Sequence, residues 1–289
     1  MRIDFHTHIF PKEIRENRQK LFSSEPAFKL LYRRPKSNLT GGLELLSVMD
    51  DQEIDTSVVF GFPWKNPETF RRHNDYILDC IARYRTRFAG FCCFDPEQDG
   101  NGTEAKRCLD QGMCGIGELA FYEKGMDRVG IDAMAPLMRI AEEKDVPVLL
   151  HVNEPVGHQY PGKTSCSFER VYHLIGRFPK NKIVLAHWGG GIFFFNLLKK
   201  EFKKTFENVY VDTAASPFLY DPAIYRIALD IIGPTKILFG SDYPLILPGR
   251  YFEEMEKAGI SESDTRMICG ENAARLLKMS RGEDPNPLS

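Results

Sequence analysis

The chain has 289 residues, of which 43% are hydrophobic and 27% charged, and its formal net charge at pH 7 is -2. These values are typical of a globular protein with a substantial core, and the length fits one large α/β barrel or two average domains. The near-neutral charge means that basic residues are not in excess, so we expect neither nucleic acid nor a membrane surface as a partner.

No composition shift or linker divides the chain, so we expect one domain over residues 1–280, followed by a flexible polar tail over 281–289. The seven cysteines are scattered without a C-x-x-C pair, which is typical of reduced, buried thiols. The amino-terminal residues are unlike a signal peptide, and no apolar run approaches membrane-spanning length. These features predict a cytoplasmic protein.

The first predicted element is a strand over residues 2–8 that ends in two histidines. Because side chains alternate along a strand, His6 and His8 point the same way and are able to share one metal ion. Taken alone, a His-x-His pair is more often two ordinary histidines. Further ligands at the ends of later strands decide between these interpretations.

A long connection follows, over about residues 9–42, with short helical pieces and prolines at positions 11, 26 and 35. So long a connection inside a domain is often a lid or a binding loop. A decorative surface insertion is an equally good interpretation.

From there, apolar strands alternate with amphipathic helices at intervals of roughly 30 residues. With the first strand they number eight, which predicts a parallel α/β array and, at this length, a closed (β/α)8 TIM barrel with a helical insertion after its first strand. An open doubly wound sheet is the alternative, but no G-x-G-x-x-G motif follows the first strand. The predicted strands cover residues 2–8, 56–60, 88–94, 114–118, 146–151, 183–187, 209–212 and 236–242.

Polar residues terminate several of these strands. In a (β/α)8 barrel the active site lies at the carboxyl ends of the strands. Four of the chain's seven histidines and two carboxylates fall there, so we expect them to form one cluster with metal-binding chemistry. The residues are His6, His8, Glu118, His151, His187 and Asp242.

The chain resembles the amidohydrolase superfamily, and specifically the branch called amidohydrolase family 2, which contains hydrolases and metal-dependent non-oxidative decarboxylases. The resemblance rests on segments that follow the family's order along nearly the whole chain. Two of them are Ala186-His187-Trp188-Gly189-Gly190 and Phe239-Gly240-Ser241-Asp242-Tyr243-Pro244. The others are residues 3–8, 74–77, 87–91, 115–119, 150–151 and 270–277.

The resemblance implies a role for most of the clustered residues. His6, His8, His151 and Asp242 match positions that hold a divalent metal, usually zinc, in members with one ion. His187 matches a position beside the metal that acts as acid or base on the substrate or the metal-bound water. Asp242 is suited to accept the proton of that water as well. We therefore expect one zinc ion rather than two, with Asp242 and His187 as catalytic residues.

Glu118 departs from the pattern of the members with one ion. In relatives with two ions, a carboxylated lysine or a glutamate at the end of strand four bridges both. Glu118 is therefore predicted as a neighbour of the metal, either as a ligand or as a carboxylate that orients a ligand imidazole.

Residues on loops at the same barrel face are candidates for substrate contact. Trp64 follows the second strand, Tyr122 the fourth, His158 the fifth and Arg250 the eighth. An arginine suits a substrate that carries a carboxylate. A solvated charge or a rim aromatic is nevertheless the commoner role for such residues.

The expected function is hydrolysis of a small carboxylate- or carbonyl-containing molecule by metal-activated water. A non-oxidative decarboxylase is the close alternative, because the same ligands serve both reactions. A TatD-like nuclease shares the His-x-His pair and the strand-four glutamate, but the lack of basic clusters argues against it. A degenerate barrel with a scaffold role would lack at least one ligand, and none is missing. Self-association into a homo-oligomer stays open.

Overall fold

Eight parallel strands pair in chain order around one sheet, which confirms the predicted (β/α)8 barrel. The structure is a computed structural model that describes residues 1–199 and 201–279, so the predicted tail at 281–289 lies outside the described residues. The strands are β1 Ile3–His8, β2 Thr56–Phe60, β3 Phe88–Cys92, β4 Gly115–Leu119, β5 Val148–Leu150, β6 Ile183–Leu185, β7 Val209–Asp212 and β8 Ile237–Leu238.

Helices fill the connections between the strands. The longest, α4, is capped by Asn66, whose side chain accepts hydrogen bonds from the backbone N–H groups of Glu68 and Thr69. No helix among the described residues is long and apolar enough to cross a bilayer. The helices are α1 Lys12–Asn17, α2 Pro26–Tyr32, α3 Gly42–Asp51, α4 Pro67–Arg83, α5 Asn101–Asp110, α6 Arg128–Ala133, α7 Ala135–Lys144, α8 Phe168–Arg177, α9 Glu201–Thr205, α10 Ser216–Leu219, α11 Ala223–Ile232, α12 Gly249–Ala258, α13 Glu262–Arg266 and α14 Asn272–Leu276. Short 3₁₀ segments lie at Arg18–Leu21 and Pro234–Lys236, and a π-helical turn lies at Met267–Glu271. The segment His187–Leu197 contains 3₁₀ turns, but its backbone is left-handed from His187 to Gly191.

The core has two layers that follow the alternation of side chains along the strands. Val58 and Phe60 belong to the cluster inside the barrel, whereas Val59 between them packs with the surrounding helices. Phe60 also lies edge-on to the rings of His6 and His8. The interior cluster therefore forms the apolar floor beneath the histidine pair.

Backbone hydrogen bonds between β1 and the segment around β8 close the barrel. Phe5 N–H donates to the carbonyl of Phe239 at 2.8 Å, and Asp242 N–H donates to the carbonyl of His6 at 2.9 Å. Strand β8 is shorter than the predicted run over 236–242 and ends at Leu238, and Asp242 then adopts the left-handed conformation with φ 58°. Closure thus places Asp242 directly beside His6.

The insertion after β1 is docked on the barrel by buried contacts. Phe28 of α2 is fully buried and its ring lies 4.6 Å from that of Trp64. The carboxylate of Glu25 accepts from the backbone N–H groups of Lys65 and Asn66 at 3.0 and 2.9 Å. These contacts therefore hold the insertion in place along one side of the barrel mouth.

His73 links the loop after β2 to the end of β1. Its Nδ1 accepts a hydrogen bond from Trp64 Nε1 at 2.8 Å, and its Nε2 donates to the carbonyl of Ile9 at 2.7 Å. Because one nitrogen accepts and the other donates, the ring is neutral. Burial lowers the pKa of His73 to about 4.

This environment predicts a pH-dependent contribution of His73 to stability. The unfolded chain protonates His73 below about pH 6.5, whereas the folded chain does so only near pH 4. The contribution is therefore complete above pH 6.5 and is lost as the pH falls towards 4, by about 3 kcal/mol over the whole window. Denaturant unfolding at pH 7 and at pH 4.5 should show a smaller pH effect in His73→Gln than in wild type. An equal pH effect in both proteins would contradict this assignment.

Candidate metal centre

Six polar side chains meet at the carboxyl ends of the strands, and they are the six that the sequence singled out. Two lie on β1, one lies in β4, and the others follow β5, β6 and β8. Five of the residues are buried, and Asp242 is half-buried. The set is His6, His8, Glu118, His151, His187 and Asp242.

The two histidines of β1 direct the same ring nitrogen at the centre. His6 Nδ1 donates to Asp212 Oδ2 at 2.8 Å, and His8 Nδ1 donates to the carbonyl of Gly61 at 3.0 Å. Because both acceptors require a proton on Nδ1, the Nε2 lone pairs face the centre. The two Nε2 atoms are 3.3 Å apart. Lone pairs at that distance repel each other unless a cation or a proton lies between them.

The other two histidines complete the same arrangement. His151 has the opposite ring orientation to His6 and His8, because its Nε2 donates to the carbonyl of Gly162 at 2.9 Å and its Nδ1 faces inward. His187 Nδ1 donates to the carbonyl of Ala214 at 2.9 Å, which leaves its Nε2 3.2 Å from His151 Nδ1. Each of the four imidazoles therefore has one nitrogen held by a protein acceptor and the other directed inward.

Glu118 lies between the two histidine pairs. Its Oε1 is 3.0 Å from His151 Nδ1, and its Oε2 is 3.7 Å from the Nε2 atoms of both His6 and His8. The described residues thus offer two donor groups that share this carboxylate, namely His6 and His8 with Glu118, and His151 and His187 with Glu118.

Asp242 contributes a second carboxylate beside the β1 pair. Its Oδ1 lies 3.4 Å from His8 Nε2 and 3.7 Å from His6 Nε2. Imidazole nitrogens and carboxylate oxygens are the ligands that first-row divalent cations such as zinc and manganese accept. The donor set therefore fits a divalent cation.

The electrostatics of the centre favour positive charge within it. Burial by itself lowers the pKa of His6, but the carboxylates of Asp212 and Glu118 outweigh it and raise this pKa to about 10. Burial likewise raises the pKa of Glu118, but the charge of His6 outweighs it and holds this pKa well below its usual range. A cation bound here would take over the role of the proton on the histidines.

Asp212 contacts two residues of the cluster, although no role for it was predicted from the sequence. It is fully buried at the end of β7, where Oδ2 accepts from His6 Nδ1 and Oδ1 accepts from the backbone N–H groups of His187 and Ala214 at 2.9 and 3.0 Å. It therefore orients one histidine and fixes the backbone that carries another. Its signal was available, since it too is a polar residue that ends an apolar strand.

Two of the clustered residues adopt backbone conformations that are uncommon for residues with a Cβ. His187 has φ 56° and Asp242 has φ 58°. The hydrogen bonds from His187 N–H to Asp212 and from Asp242 N–H to the carbonyl of His6 hold these conformations. Such strain is concentrated at functional sites, where the surrounding structure enforces it.

The structure places the four predicted substrate-contact residues in three different environments. Tyr122 is half-buried, and its ring centroid lies 5.3 Å from that of His151. Trp64 is fully buried and its indole N–H donates to His73, so it holds the loop after β2 in place. His158 and Arg250 are exposed, on the loop after β5 and on α12. Contact of these four with substrate stays a prediction.

Comparison with known proteins agrees with the architecture. The family described as Amidohydrolase matches residues 3–279. Gamma-resorcylate decarboxylase of Polaromonas sp. (strain JS666 / ATCC BAA-500) is 27% identical over 256 residues, covering 74% of this chain and 77% of that protein. The 2-amino-3-carboxymuconate-6-semialdehyde decarboxylase of Dictyostelium discoideum is 24% identical, covering 99% of this chain and 93% of that protein.

A solved structure with the same fold is the dihydroxybenzoic acid decarboxylase of Polaromonas sp. JS666, which contains manganese and the inhibitor 2-nitroresorcinol. It superposes with a TM-score of 0.71 at 22% sequence identity, covering 97% of this chain and 98% of that one. At this identity the likeness concerns the fold.

The position of Asp212 predicts that its charge supports metal affinity. In Asp212→Asn the side chain keeps its size but loses the carboxylate that accepts from His6 Nδ1. We expect metal affinity to fall by about 10–100-fold, measured by competition with a chromophoric chelator. Asp230→Asn, an exposed position on α11, is the matched control and should bind metal like wild type. Unchanged affinity in Asp212→Asn would show that the carboxylate is dispensable.

Proposed function

Because the chain belongs to the amidohydrolase family, we propose that it is a metal-dependent non-oxidative decarboxylase of a small carboxylic acid. Both of the curated relatives described above are named decarboxylases, and they cover most of this chain. This likeness favours the alternative considered from the sequence over the hydrolase that was expected first. A reduced thiol for each of the seven cysteines supports our inference of a cytoplasmic enzyme.

The observation that carries the proposal is the convergence of four imidazoles, each with one nitrogen held by a protein acceptor and the other directed inward. We propose that His6, His8, His151 and Asp242 hold one divalent cation and that Glu118 lies beside it. When bound, the cation supplies Lewis acidity that polarises a substrate oxygen. Manganese in the related solved structure makes it a candidate next to zinc.

We assign the proton transfer to His187. Burial by itself lowers the pKa of His187, but the hydrogen bond and charge of Glu118, with Asp242, outweigh it and raise this pKa to about 9. These carboxylates favour a proton on Nε2, which lies 3.6 Å from Glu118 Oε1. As the bond between the substrate carbon and its carboxylate breaks, carbon dioxide leaves, the electron pair stays on the carbon, and the proton from Nε2 joins it.

Isotope labelling distinguishes decarboxylation from hydrolysis. Protein stripped with a chelator and reloaded with zinc or manganese is incubated with gamma-resorcylate and other hydroxybenzoates in H₂¹⁸O. We expect carbon dioxide release that requires the metal, with no ¹⁸O in the organic product. Incorporation of one ¹⁸O into an organic product without carbon dioxide release would instead establish a hydrolase.

Removal of His6 tests the metal ligands. His6→Ala takes away one inward nitrogen, so we expect loss of both bound metal and turnover, measured by elemental analysis and carbon dioxide release. His173→Ala, on α8, is the matched control because it removes an imidazole outside the cluster. Full activity in metal-free protein would overturn the proposal.

Substitution of His187 tests the proton donor. His187→Asn removes the proton at Nε2, and we expect kcat to fall by about 10²–10⁴-fold. Metal content should stay at the wild-type level if His187 acts on the substrate. Loss of the metal together with activity would assign His187 to the ligand set instead.

A further inference from the structure

Tyr32 is the last residue of α2 in the insertion, and its ring joins the aromatic cluster that docks this segment. Its ring centroid lies 4.8 Å from that of Phe28 and 5.5 Å from that of Phe10. Phe10 and Phe28 are both fully buried. Because Glu25, at the other end of α2, is bonded to the loop after β2, the position of Tyr32 is fixed at both ends of the helix.

A continuous row of rings leads from Tyr32 to the metal centre. The Tyr32 centroid is 5.9 Å from that of Phe62, and Phe62 stacks on Tyr122 with centroids 5.8 Å apart and the planes 3° from parallel. Tyr122 in turn lies 5.3 Å from His151. The rings of Tyr32, Phe62 and Tyr122 therefore form one wall, called here the aromatic wall, beside the centre.

Both tyrosine hydroxyls of the aromatic wall lack a protein partner. Tyr32 and Tyr122 are half-buried, and no hydrogen bond joins either hydroxyl to another residue within 1–199 and 201–279. Burial and the charges of Asp242 and Glu118 raise the pKa of the Tyr32 hydroxyl well above the ordinary tyrosine value, and a phenol such as that of Tyr122 is protonated at neutral pH in any case. The two groups therefore stay protonated and are available as donors.

We propose that Tyr32 is a substrate-positioning residue, whose hydroxyl donates a hydrogen bond to an anionic oxygen of the substrate together with that of Tyr122. The insertion after β1 is then part of the substrate site. This inference rests on the proposed function, since it takes the substrate to be a carboxylic acid.

The charge of the centre explains why such neutral donors are needed. The carboxylates of Glu118 and Asp242 repel a substrate carboxylate that approaches the same face. A bound cation offsets this repulsion at one oxygen of the substrate. Hydroxyl groups on the aromatic wall add attraction at a second oxygen, and the rings leave a flat surface beside it.

Removal of one oxygen atom tests the proposal. Tyr32→Phe keeps the ring contacts with Phe28 and Phe62 and removes only the hydroxyl. Binding of 2-nitroresorcinol and gamma-resorcylate to the manganese-loaded protein is measured by isothermal titration calorimetry. We expect about 10-fold weaker binding in Tyr32→Phe, the loss expected for a hydrogen bond to a charged group, with KM raised more than kcat is lowered.

Tyr84→Phe is the matched control, because Tyr84 contacts Phe88 at the start of β3, the end of the strand opposite the centre. It should bind both probes like wild type. Metal content and thermal midpoint are measured for each variant. The proposal would be overturned if Tyr32→Phe bound the probes with wild-type affinity or differed from wild type only in its thermal midpoint. It would also be overturned if the wild type bound neither probe.

The same titrations separate this inference from the proposed function. If the wild type binds the probes and Tyr32→Phe binds them more weakly, but no carbon dioxide is released from any acid, the proposed decarboxylase fails and the role of Tyr32 stands. If the wild type releases carbon dioxide while Tyr32→Phe matches it in affinity and KM, the role of Tyr32 fails alone.

Discussion

Closure of the barrel between β1 and the segment after β8 is the constraint on which the site depends. The hydrogen bond from Asp242 N–H to the carbonyl of His6 places a carboxylate next to the histidine pair, although 236 positions separate them in the chain. The contact also explains Gly240, since a Cβ there would lie 2.7 Å from the Cβ of His6. Backbone geometry thus brings the first and last strands together before any metal is considered.

Two buried carboxylates hold strands of the barrel together at the site. Asp4 accepts from the backbone N–H groups of His6 and Ser241 and from the Ser241 hydroxyl, which joins β1 to the loop after β8. Burial raises the pKa of Asp4 to about 7, even though these hydrogen bonds oppose the rise. Asp212 in turn links β7 to His6 on β1 and to the backbone of His187 after β6. A buried carboxylate is costly unless donors surround it, so each of these groups specifies the positions of its partners.

The insertion changes the shape of the barrel mouth without adding to the metal centre. Its buried aromatic residues and Glu25 hold it against the loop after β2, and its last helical residue, Tyr32, is part of the aromatic wall. Under the role proposed for Tyr32, this segment is a binding element rather than a decorative surface insertion. The proposed metal ligands come from strand ends, whereas the proposed substrate contacts come from loops and from this insertion.

Periodicity and strand-end polarity determined the fold class and the members of the central cluster, because both depend on local patterns. An apolar strand that ends in a histidine or carboxylate places that group at one known end of a parallel barrel, whichever loops follow. The tertiary structure alone decided which imidazole nitrogen faces inward, because the acceptors for His6 and His187 belong to other strands and loops. It also decided that Trp64 is fully buried while Tyr32 is half-buried beside Phe62, since two aromatic residues in the connections after β1 and β2 are alike in sequence and differ only in what packs around them.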